Sequence, residues 1–381
     1  MPPFTLEMPR AITFGSGSFS KIAATVRELG ARVMVLSGSR WLAGSPWAHA
    51  IAKSIEGLVV EQIACAAGEP TVASVDEAAR AARRFRPDVL LAVGGGSVLD
   101  TAKAVSALAV HTASAEAFLE GLPGSRAVPG PGVPWVAVPT SAGTGAEATK
   151  NAVIKSEAAG AKRSMRSRHI LAHAVIVDPE LTLSLPPAVT GSSGLDAFTQ
   201  LIEAYVSRAS TQPVRSLVEG AFGGMWEALD GLGRTPSDLR LREKACYGSL
   251  VSGIALANAG LGAAHGFAAA VGGMFDVPHG LACAVFLPHV LHANRDLIAG
   301  DLAGLVGESH GEAAKRDPVG WLGSEVTRLL PAFGLPVDLK GFAIPRDKAV
   351  EIAERASGSS MRGNPRDLSP EERQEILRHV L

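Results

Sequence analysis

The sequence predicts an α/β domain over residues 1–183 and an all-helical domain over residues 184–381. The chain has 381 residues, which suits two domains of ordinary size better than a single core. Through the first half, short β-rich runs alternate with helical stretches, and this alternation indicates a largely parallel sheet covered on both faces. From about Pro186 onward, long helical patterns rich in Ala, Leu and Glu replace the strand signals.

Apolar, β-branched runs bounded by Gly, Pro or Ser predict the strands of the sheet. They span residues 31–37, 58–65, 88–93, 134–140 and 174–178. Between them, segments such as VASVDEAARAARRF carry apolar residues at helical spacing and predict covering helices. The string DPELTLSLPP has a proline near each end and is the predicted domain boundary.

Composition excludes several classes of partner. With 47% apolar residues, 19% charged residues and a net charge of -1, the chain is globular and has no basic field for nucleic acid or an anionic membrane. The N-terminus lacks the features of a signal peptide and no apolar run is long enough to span a membrane, so we expect a cytoplasmic protein. Cys65, Cys246 and Cys283 have no CxxC spacing, and we expect buried free thiols and no thiolate metal site.

A glycine-rich turn follows the strand predicted over residues 88–93. Gly94, Gly95, Gly96 and Ser97 come directly after it and open a helical pattern. Such a turn lets backbone amides approach a diphosphate, with the positive end of the helix dipole behind them. The alternative is a glycine turn that only permits close packing of helix on sheet.

A second loop of the same character, PTSAGTG, ends the strand predicted over residues 134–140. The hydroxyl groups of Thr140, Ser141 and Thr144 can hydrogen-bond a phosphate, a ribose or an amide. Because the carboxyl ends of parallel strands meet at one edge of a sheet, the two loops are expected to converge on one crevice. Together they predict a nucleotide-binding domain.

The helical half contains an incomplete set of metal ligands. Asp196 and Gln200 are four residues apart on a predicted helix and share one face, while His265 and His279 flank a glycine-rich stretch. One carboxylate and two imidazoles suit Fe²⁺ or Zn²⁺, whereas the Gln200 amide is neutral and a weaker donor. The alternatives are a helix-capping role for Asp196 and hydrogen-bonded structural histidines, which we also expect for His173, His289 and His310.

The motifs, taken in order, resemble those of the group III, iron-containing alcohol dehydrogenase family. They are GGGSVLDTAKA, PTSAGTGAEAT, a stretch from Lys162 ending in IVDPEL, GLDAFTQLIEAYVS and HGFAAAVGGMFDVPHG. The resemblance covers nearly the whole chain and implies a dehydroquinate synthase-like fold, with an N-terminal NAD(P)-binding domain and a C-terminal helical domain that carries the metal. It implies NAD(P)-dependent hydride transfer between a small alcohol and its aldehyde or ketone, and commonly a homodimer or higher homo-oligomer.

The resemblance also assigns roles at the cofactor. It implies that Gly95, Gly96 and Ser97, following Gly94, contact the diphosphate, and that Asp100, Thr140, Thr144 and Lys162 lie along the cofactor. Without it, Asp100 is explained as an acid at a helix N-terminus and Lys162 as a solvated surface lysine.

The choice between NAD and NADP depends partly on the end of the first predicted strand. Many NAD-preferring relatives have an acidic residue near Gly38, where this chain has Ser37, Gly38, Ser39 and Arg40. The small residues leave room for a 2′-phosphate that Arg40 can meet, so NADP is allowed. The alternative is that these residues form a polar loop with no role in recognition.

At the metal, the resemblance implies that Asp196, His265 and His279 are ligands and that Gln200 stands where the family has a histidine. Ala269 also stands where a further active-site histidine is common. We therefore expect a lower metal affinity and a different preferred ion, with Asp196, His265, His279 and Lys162 as the residues nearest the chemistry.

Three alternatives remain open on the sequence. A metal-independent reductase resembling maleylacetate reductase fits the altered ligands, a cofactor-binding protein with lost catalysis fits Gln200 and Ala269 together, and a lyase like dehydroquinate synthase shares the fold. Basic residues near Lys162 favour either an anionic aldehyde substrate or an ordinary solvated face. They are Lys162, Arg163, Arg166, Arg168 and His169.

Overall fold

The computed structural model describes residues 2–39, 45–66, 68–307, 310–356 and 358–381. It contains two compact units. The α/β unit comprises residues 7–141 and 145–183, and the helical unit comprises residues 1–6, 142–144 and 184–381. The predicted fold class, a parallel α/β domain followed by a helical domain, is confirmed.

The α/β unit combines strands with helices that connect them. Its strands are β1 (Ala11–Phe14), β2 (Arg32–Gly38), β3 (Val59–Cys65), β4 (Val89–Gly94), β5 (Trp135–Pro139), β6 (Asn151–Ser156), β7 (Ala161–Arg166) and β8 (Ala174–Val177). Its α-helices are α1 (Ile22–Leu29), α2 (Pro46–Ser54), α3 (Val72–Phe85) and α4 (Gly96–Leu108).

The helical unit begins with three long helices and continues with shorter ones. They are α5 (Pro187–Val206), α6 (Gln212–Leu232), α7 (Leu239–Ala259), α8 (Ala263–Phe275), α9 (His279–Ala293), α10 (Arg295–Val306), α11 (Gly311–Arg316), α12 (Pro318–Ala332), α13 (Ala349–Arg355), α14 (Ser359–Gly363) and α15 (Pro370–Val380). Within the described ranges, no single helix is long and apolar enough to cross a membrane; α7 and α8 meet that test only jointly, and they are bent by 99° where they join.

Six strands form a parallel sheet in the order β1-β8-β5-β4-β2-β3. From β2 the chain passes to β3 on one side and then returns to β4 on the other side. The direction of winding therefore reverses between β2 and β4. In open parallel sheets, ligands bind outside the carboxyl ends of the strands at such a switch point.

The central strands are buried on both faces. Val33 and Val35 of β2 pack with Val26 of α1 on one face. Met34 and Leu36 are equally buried, and successive strand residues point to opposite faces. A strand that is buried on both faces has a continuous apolar sequence, and such a sequence predicts the strand.

Two features of the α/β unit lie outside the predicted strands. Strand β1 has only four residues and pairs with β8. The antiparallel hairpin of β6 and β7 carries Lys155, Lys162 and Arg163 on its exposed or half-buried positions. Short or half-polar strands contain few apolar residues, so their sequence gives little sign of a strand. Their formation depends instead on pairing with neighbours distant in the sequence.

Candidate active site

The end of β4 lies at the switch point and leads directly into the N-terminus of α4. Gly95 is the N-cap of α4, and among the described residues no side chain caps this helix. The first backbone N–H groups of α4, at Gly96 and Ser97, are therefore available to an external acceptor. The donor set fits the diphosphate of a dinucleotide.

The first glycine of the turn has a packing role as well. A Cβ on Gly94 would lie 2.6 Å from a methyl group of Val98, so this position permits the close approach of α4 to β4. A Cβ on Gly95 would lie 3.4 Å from Ser141 Oγ, an ordinary contact. Close packing of helix on strand therefore explains the glycine at position 94. It does not explain the glycine at position 95, which is the N-cap of α4.

The two glycine-containing loops are adjacent, as expected. Thr140 N donates to Gly94 O at 3.1 Å, and Gly94 is in register with Pro139. Thr140 and Ser141 belong to the α/β unit, whereas Thr144 belongs to the helical unit. The place of Thr144 along a cofactor stays a prediction.

Asp100 makes internal contacts with both carboxylate oxygens. Lys103 Nζ donates to Oδ1 at 2.8 Å, and the backbone N–H of Val153 donates to Oδ2 at 2.9 Å. Lys103 is fully buried, and this burial lowers the pKa of its ammonium despite the Asp100 charge. These contacts join α4 to β6; a cofactor contact of Asp100 stays a prediction.

Lys162 lies on β7, where its Nζ is 2.5 Å from Glu69 Oε1. Arg166 is likewise paired, 3.0 Å from Glu120. Part of the basic cluster is thus neutralised by local carboxylates, which favours the solvated-face interpretation. Gly38 ends β2 at the switch point, and Arg40 lies outside the described residues.

The predicted metal ligands meet in the helical unit. Asp196 on α5 lies with its Oδ1 3.2 Å from Nε2 of His265 on α8, and 4.0 Å from Nε2 of His279 on α9. Asp196 and His265 are buried, and the His279 side chain retains 39% exposure. Three helices thus bring one carboxylate oxygen and two imidazole nitrogens to a common point that remains open at His279.

Cys283 joins this group, which the sequence argument missed. Its Sγ lies 3.6 Å from His279 Nε2, and one donor atom from each of Asp196, His265, His279 and Cys283 lies within 4.8 Å of the others. The expectation of buried free thiols is confirmed, and Cys283 lies in a group of residues that could hold a metal, where the sequence indicated no thiolate. The spacing of four residues between His279 and Cys283 on one helix was the available signal.

Gln200 is buried one helical turn after Asp196, and its contact is with α7. Ser252 Oγ lies 2.8 Å from the amide oxygen of Gln200. The amide therefore has a hydrogen-bonding partner within the protein. Its role as a metal ligand stays a prediction.

Glu203 is a second residue that the sequence argument missed. Its Oε2 lies 2.6 Å from His265 Nδ1, and its Oε1 accepts from the backbone N–H of Ala264 at 2.7 Å. The contact at Nδ1 fixes the orientation of the ring so that Nε2 faces Asp196. Glu203 follows Asp196 by seven residues, so both lie on one face of α5.

The cluster attracts positive charge. Burial disfavours the Asp196 carboxylate, but the hydrogen bond from His265 and the charge of His279 outweigh it and lower the pKa of Asp196. Burial also disfavours a charged His265, but the Cys283 sulfur and the Glu203 carboxylate outweigh it and hold the pKa of His265 well above its ordinary value. A divalent cation can take the place of these protons, so the donor set fits a metal.

Glu203→Gln is expected to lower metal affinity roughly 10- to 100-fold while the fold is retained, because partners that orient a ligating histidine have effects of this size. The amide keeps the length of the side chain but loses the charge at His265 Nδ1. Competition with a chelating dye measures the affinity. Unchanged affinity in Glu203→Gln would contradict the orienting role.

The glycine that follows His279 permits close contact between two helices. A Cβ on Gly280 would lie 2.1 Å from the backbone oxygen of Ser192 on α5. Backbone cannot yield as a flexible side chain can, so any larger residue must push α9 away from α5. The Pro-His-Gly sequence therefore sets the distance between His279 and Asp196.

Gly280→Ala is expected to destabilise the protein by about 2 kcal/mol and to weaken metal binding, because overpacking separates the ligand-bearing helices. Thermal unfolding and metal titration measure the two effects. Gly273→Ala is the matched control: it lies on α8, and no described atom that would oppose its Cβ lies within 4 Å. Equal behaviour of the two variants would refute this role of Gly280.

Comparison with known protein families identifies the chain as an oxidoreductase. Residues 9–179 match the family described as iron-containing alcohol dehydrogenase, and residues 190–381 match the C-terminal part of the Fe-containing alcohol dehydrogenase family. The chain belongs to the iron-containing alcohol dehydrogenase family. It is an NAD(P)-dependent alcohol dehydrogenase or aldehyde reductase, as the sequence predicted.

Individual relatives agree with this placement. Long-chain-alcohol dehydrogenase 1 of Geobacillus thermodenitrificans is 31% identical over 347 residues, covering 90% of this chain and 87% of the relative. NAD-dependent methanol dehydrogenase of Bacillus methanolicus is 29% identical over 387 residues, covering 98% and 99%. The structure of an alcohol dehydrogenase from Oenococcus oeni superposes with a TM-score of 0.90 at 27% identity over 100% of both chains.

Proposed function

We propose that this chain oxidises a small alcohol, or reduces its aldehyde or ketone, with a nicotinamide cofactor and a divalent cation held by Asp196, His265 and His279. The observation that carries the proposal is the convergence of these three donors from α5, α8 and α9, with an exposed side only at His279. One carboxylate with two histidines leaves coordination positions for a substrate oxygen.

The protein side chains supply binding and orientation. The groups they hold, when bound, supply polarisation of the substrate oxygen by the cation and transfer of the hydride by the nicotinamide. Asp196 provides a buried negative charge. Glu203 fixes the ring of His265, and Gly280 fixes the distance of His279 from Asp196.

Proton transfer at the substrate oxygen is proposed to run through solvent. Ala269 lies one helical turn after His265, and it is exposed. Its methyl group can neither donate nor accept a proton. The partly exposed His279 marks the side from which water reaches the ligand cluster.

The cofactor is proposed to lie with its diphosphate at the N-terminus of α4 and its adenosine ribose at the end of β2. Ser37, Gly38 and Ser39 bring no carboxylate that would repel a 2′-phosphate. We therefore expect both NAD and NADP to be used. Comparing kcat/KM for the two cofactors tests this, and a discrimination against NADP of about 10⁴-fold or more would contradict it.

We further propose a cytoplasmic homodimer or higher homo-oligomer, following the family resemblance. Sedimentation velocity of the purified chain tests the assembly, and fractionation of the native host tests the location.

The direct test of the activity is reduced-cofactor absorbance across a panel of alcohols and aldehydes. The purified chain is first stripped with a chelator and then assayed with Fe²⁺, Zn²⁺ or no cation. We expect turnover that requires a cation. Full turnover of the stripped chain would favour a metal-independent reductase, and binding of NAD(P) without turnover across the panel would favour lost catalysis.

A further inference from the structure

We propose that Cys283 is the fourth protein ligand of the cation, so that this chain has an Asp-His-His-Cys site that prefers Zn²⁺ to Fe²⁺. The proposal rests on the proposed function only in taking Asp196, His265 and His279 as the other ligands. The family resemblance implies a histidine ligand at position 200, and in this chain a thiolate from a different helix takes its place.

The distances between donor atoms approach those of a tetrahedral site. In such a site, two nitrogen or oxygen ligands lie about 3.3 Å apart, and a sulfur lies about 3.5 Å from a nitrogen. The separation of Asp196 Oδ1 and His265 Nε2 is 3.2 Å, and that of Cys283 Sγ and His279 Nε2 is 3.6 Å. The remaining donor pairs of the four residues lie within 4.8 Å, and a bound cation would draw them together.

Helix geometry places the sulfur on the ligand side of α9. Cys283 follows His279 by four residues, so the two side chains share a face of the helix. The cysteine is fully buried, its Sγ lies 3.6 Å from His279 Nε2, and it lies within 4.8 Å of the donor atoms of Asp196 and His265. A cysteine acting only as a small apolar core residue would not be surrounded by three polar ligands.

Gln200 is a poor candidate for the fourth ligand of the cation. The amide of Gln200 is neutral, and its oxygen lies 2.8 Å from Ser252 Oγ on α7. A neutral amide oxygen is a weaker donor to a cation than an imidazole or a thiolate. The Cys283 thiolate carries a negative charge, which the amide lacks.

The thiolate changes which cation is preferred. Sulfur ligands favour Zn²⁺ over the harder ferrous ion, and four protein donors suit a tetrahedral cation. In this site, the sulfur on α9 takes the coordination position that the Gln200 amide on α5 would otherwise fill.

Cobalt substitution tests the ligation without reference to activity. The full-length chain is stripped of metal and titrated anaerobically with Co²⁺, and its near-ultraviolet and visible spectra are recorded. We expect an intense thiolate-to-cobalt charge-transfer band that saturates at about one equivalent, since one sulfur joins one cation per chain. Bound cobalt without that band overturns the proposal, and so does a chain that binds no cobalt.

Variants identify the sulfur. Cys283→Ser is expected to lose the charge-transfer band and to raise the Kd for Zn²⁺ roughly 100-fold or more. Cys246→Ser, another buried cysteine of the helical unit, and Gln200→Leu are expected to keep the band. A band that persists in Cys283→Ser, or that disappears in Gln200→Leu with cobalt still bound, would overturn the proposal.

The test of Cys283 as a ligand and the test of the proposed function can fail independently. If Cys283→Ser does not fold, the wild-type cobalt spectrum decides by itself whether a thiolate is a ligand. Alcohol-dependent formation of reduced cofactor by the same preparation reports the proposed function independently, since that assay does not depend on which donor completes the site.

Discussion

His265→Ala is expected to abolish stoichiometric metal binding and to lower kcat/KM on the order of a thousandfold, about 4 kcal/mol of transition-state stabilisation. His265 is the central member of the cluster, because its two nitrogens contact Asp196 and Glu203. Removing the ring leaves two buried carboxylates without their shared partner. Metal analysis and steady-state kinetics of the same preparation measure both losses.

His289→Ala is the control for this variant. His289 lies on α9, nearly three turns after His279, and stacks on His379 at a centroid distance of 5.3 Å. We expect it to keep its metal and its activity. If His265→Ala behaved like His289→Ala, the cluster could not be the catalytic centre.

Ser97→Asp is expected to raise the Kd for the nicotinamide cofactor by about 100-fold or more, because a fixed carboxylate at the N-terminus of α4 opposes the diphosphate at a cost of several kcal/mol. The same charge favours the helix itself, since an acid in the first turn interacts well with the macrodipole. Cofactor affinity should therefore fall in Ser97→Asp, while the free energy of unfolding of the protein rises. Fluorescence titration with NADH and thermal unfolding measure them.

Ser97→Asn separates charge from size. Asparagine has nearly the shape of aspartate but no charge, and the half-buried position of Ser97 can accept either. We expect Ser97→Asn to weaken cofactor binding much less than Ser97→Asp. Equal affinities for the two variants would mean that the diphosphate does not lie at α4.

The fold was largely predictable because its signals are local. Strands β2, β4 and β5 each contain a continuous apolar run since both faces of the sheet are covered, and α3 was predicted with its observed bounds. Strand β1 and the hairpin of β6 and β7 were not predictable in this way. Their pairing is decided by partners distant in sequence, such as β8 for β1.

The candidate site was predictable where a motif fixed it. Asp196, His265 and His279 come together as the resemblance implied, on three different helices. Cys283 and Glu203 were missed because a lone cysteine or glutamate in a helix has no signature by itself. Their spacing puts each on the same helix face as a ligand, but only the packing of α8 and α9 on α5 shows that Cys283 and Glu203 reach the cluster.

The contacts of Asp100 and Lys162 could not be inferred from their motifs. Asp100 holds the buried Lys103 and the backbone of β6, and Lys162 pairs with Glu69. A motif gives the residue type and its spacing. The partner that neutralises a charge depends on which residues the fold brings close to it.

Metal reconstitution of the stripped enzyme is the most direct test of the account. Activity is measured as reduced cofactor formed from an alcohol while a divalent cation is added in substoichiometric steps. We predict that activity rises linearly and reaches its plateau at about one cation per chain, with no recovery in His265→Ala. Full activity before any cation is added would contradict it.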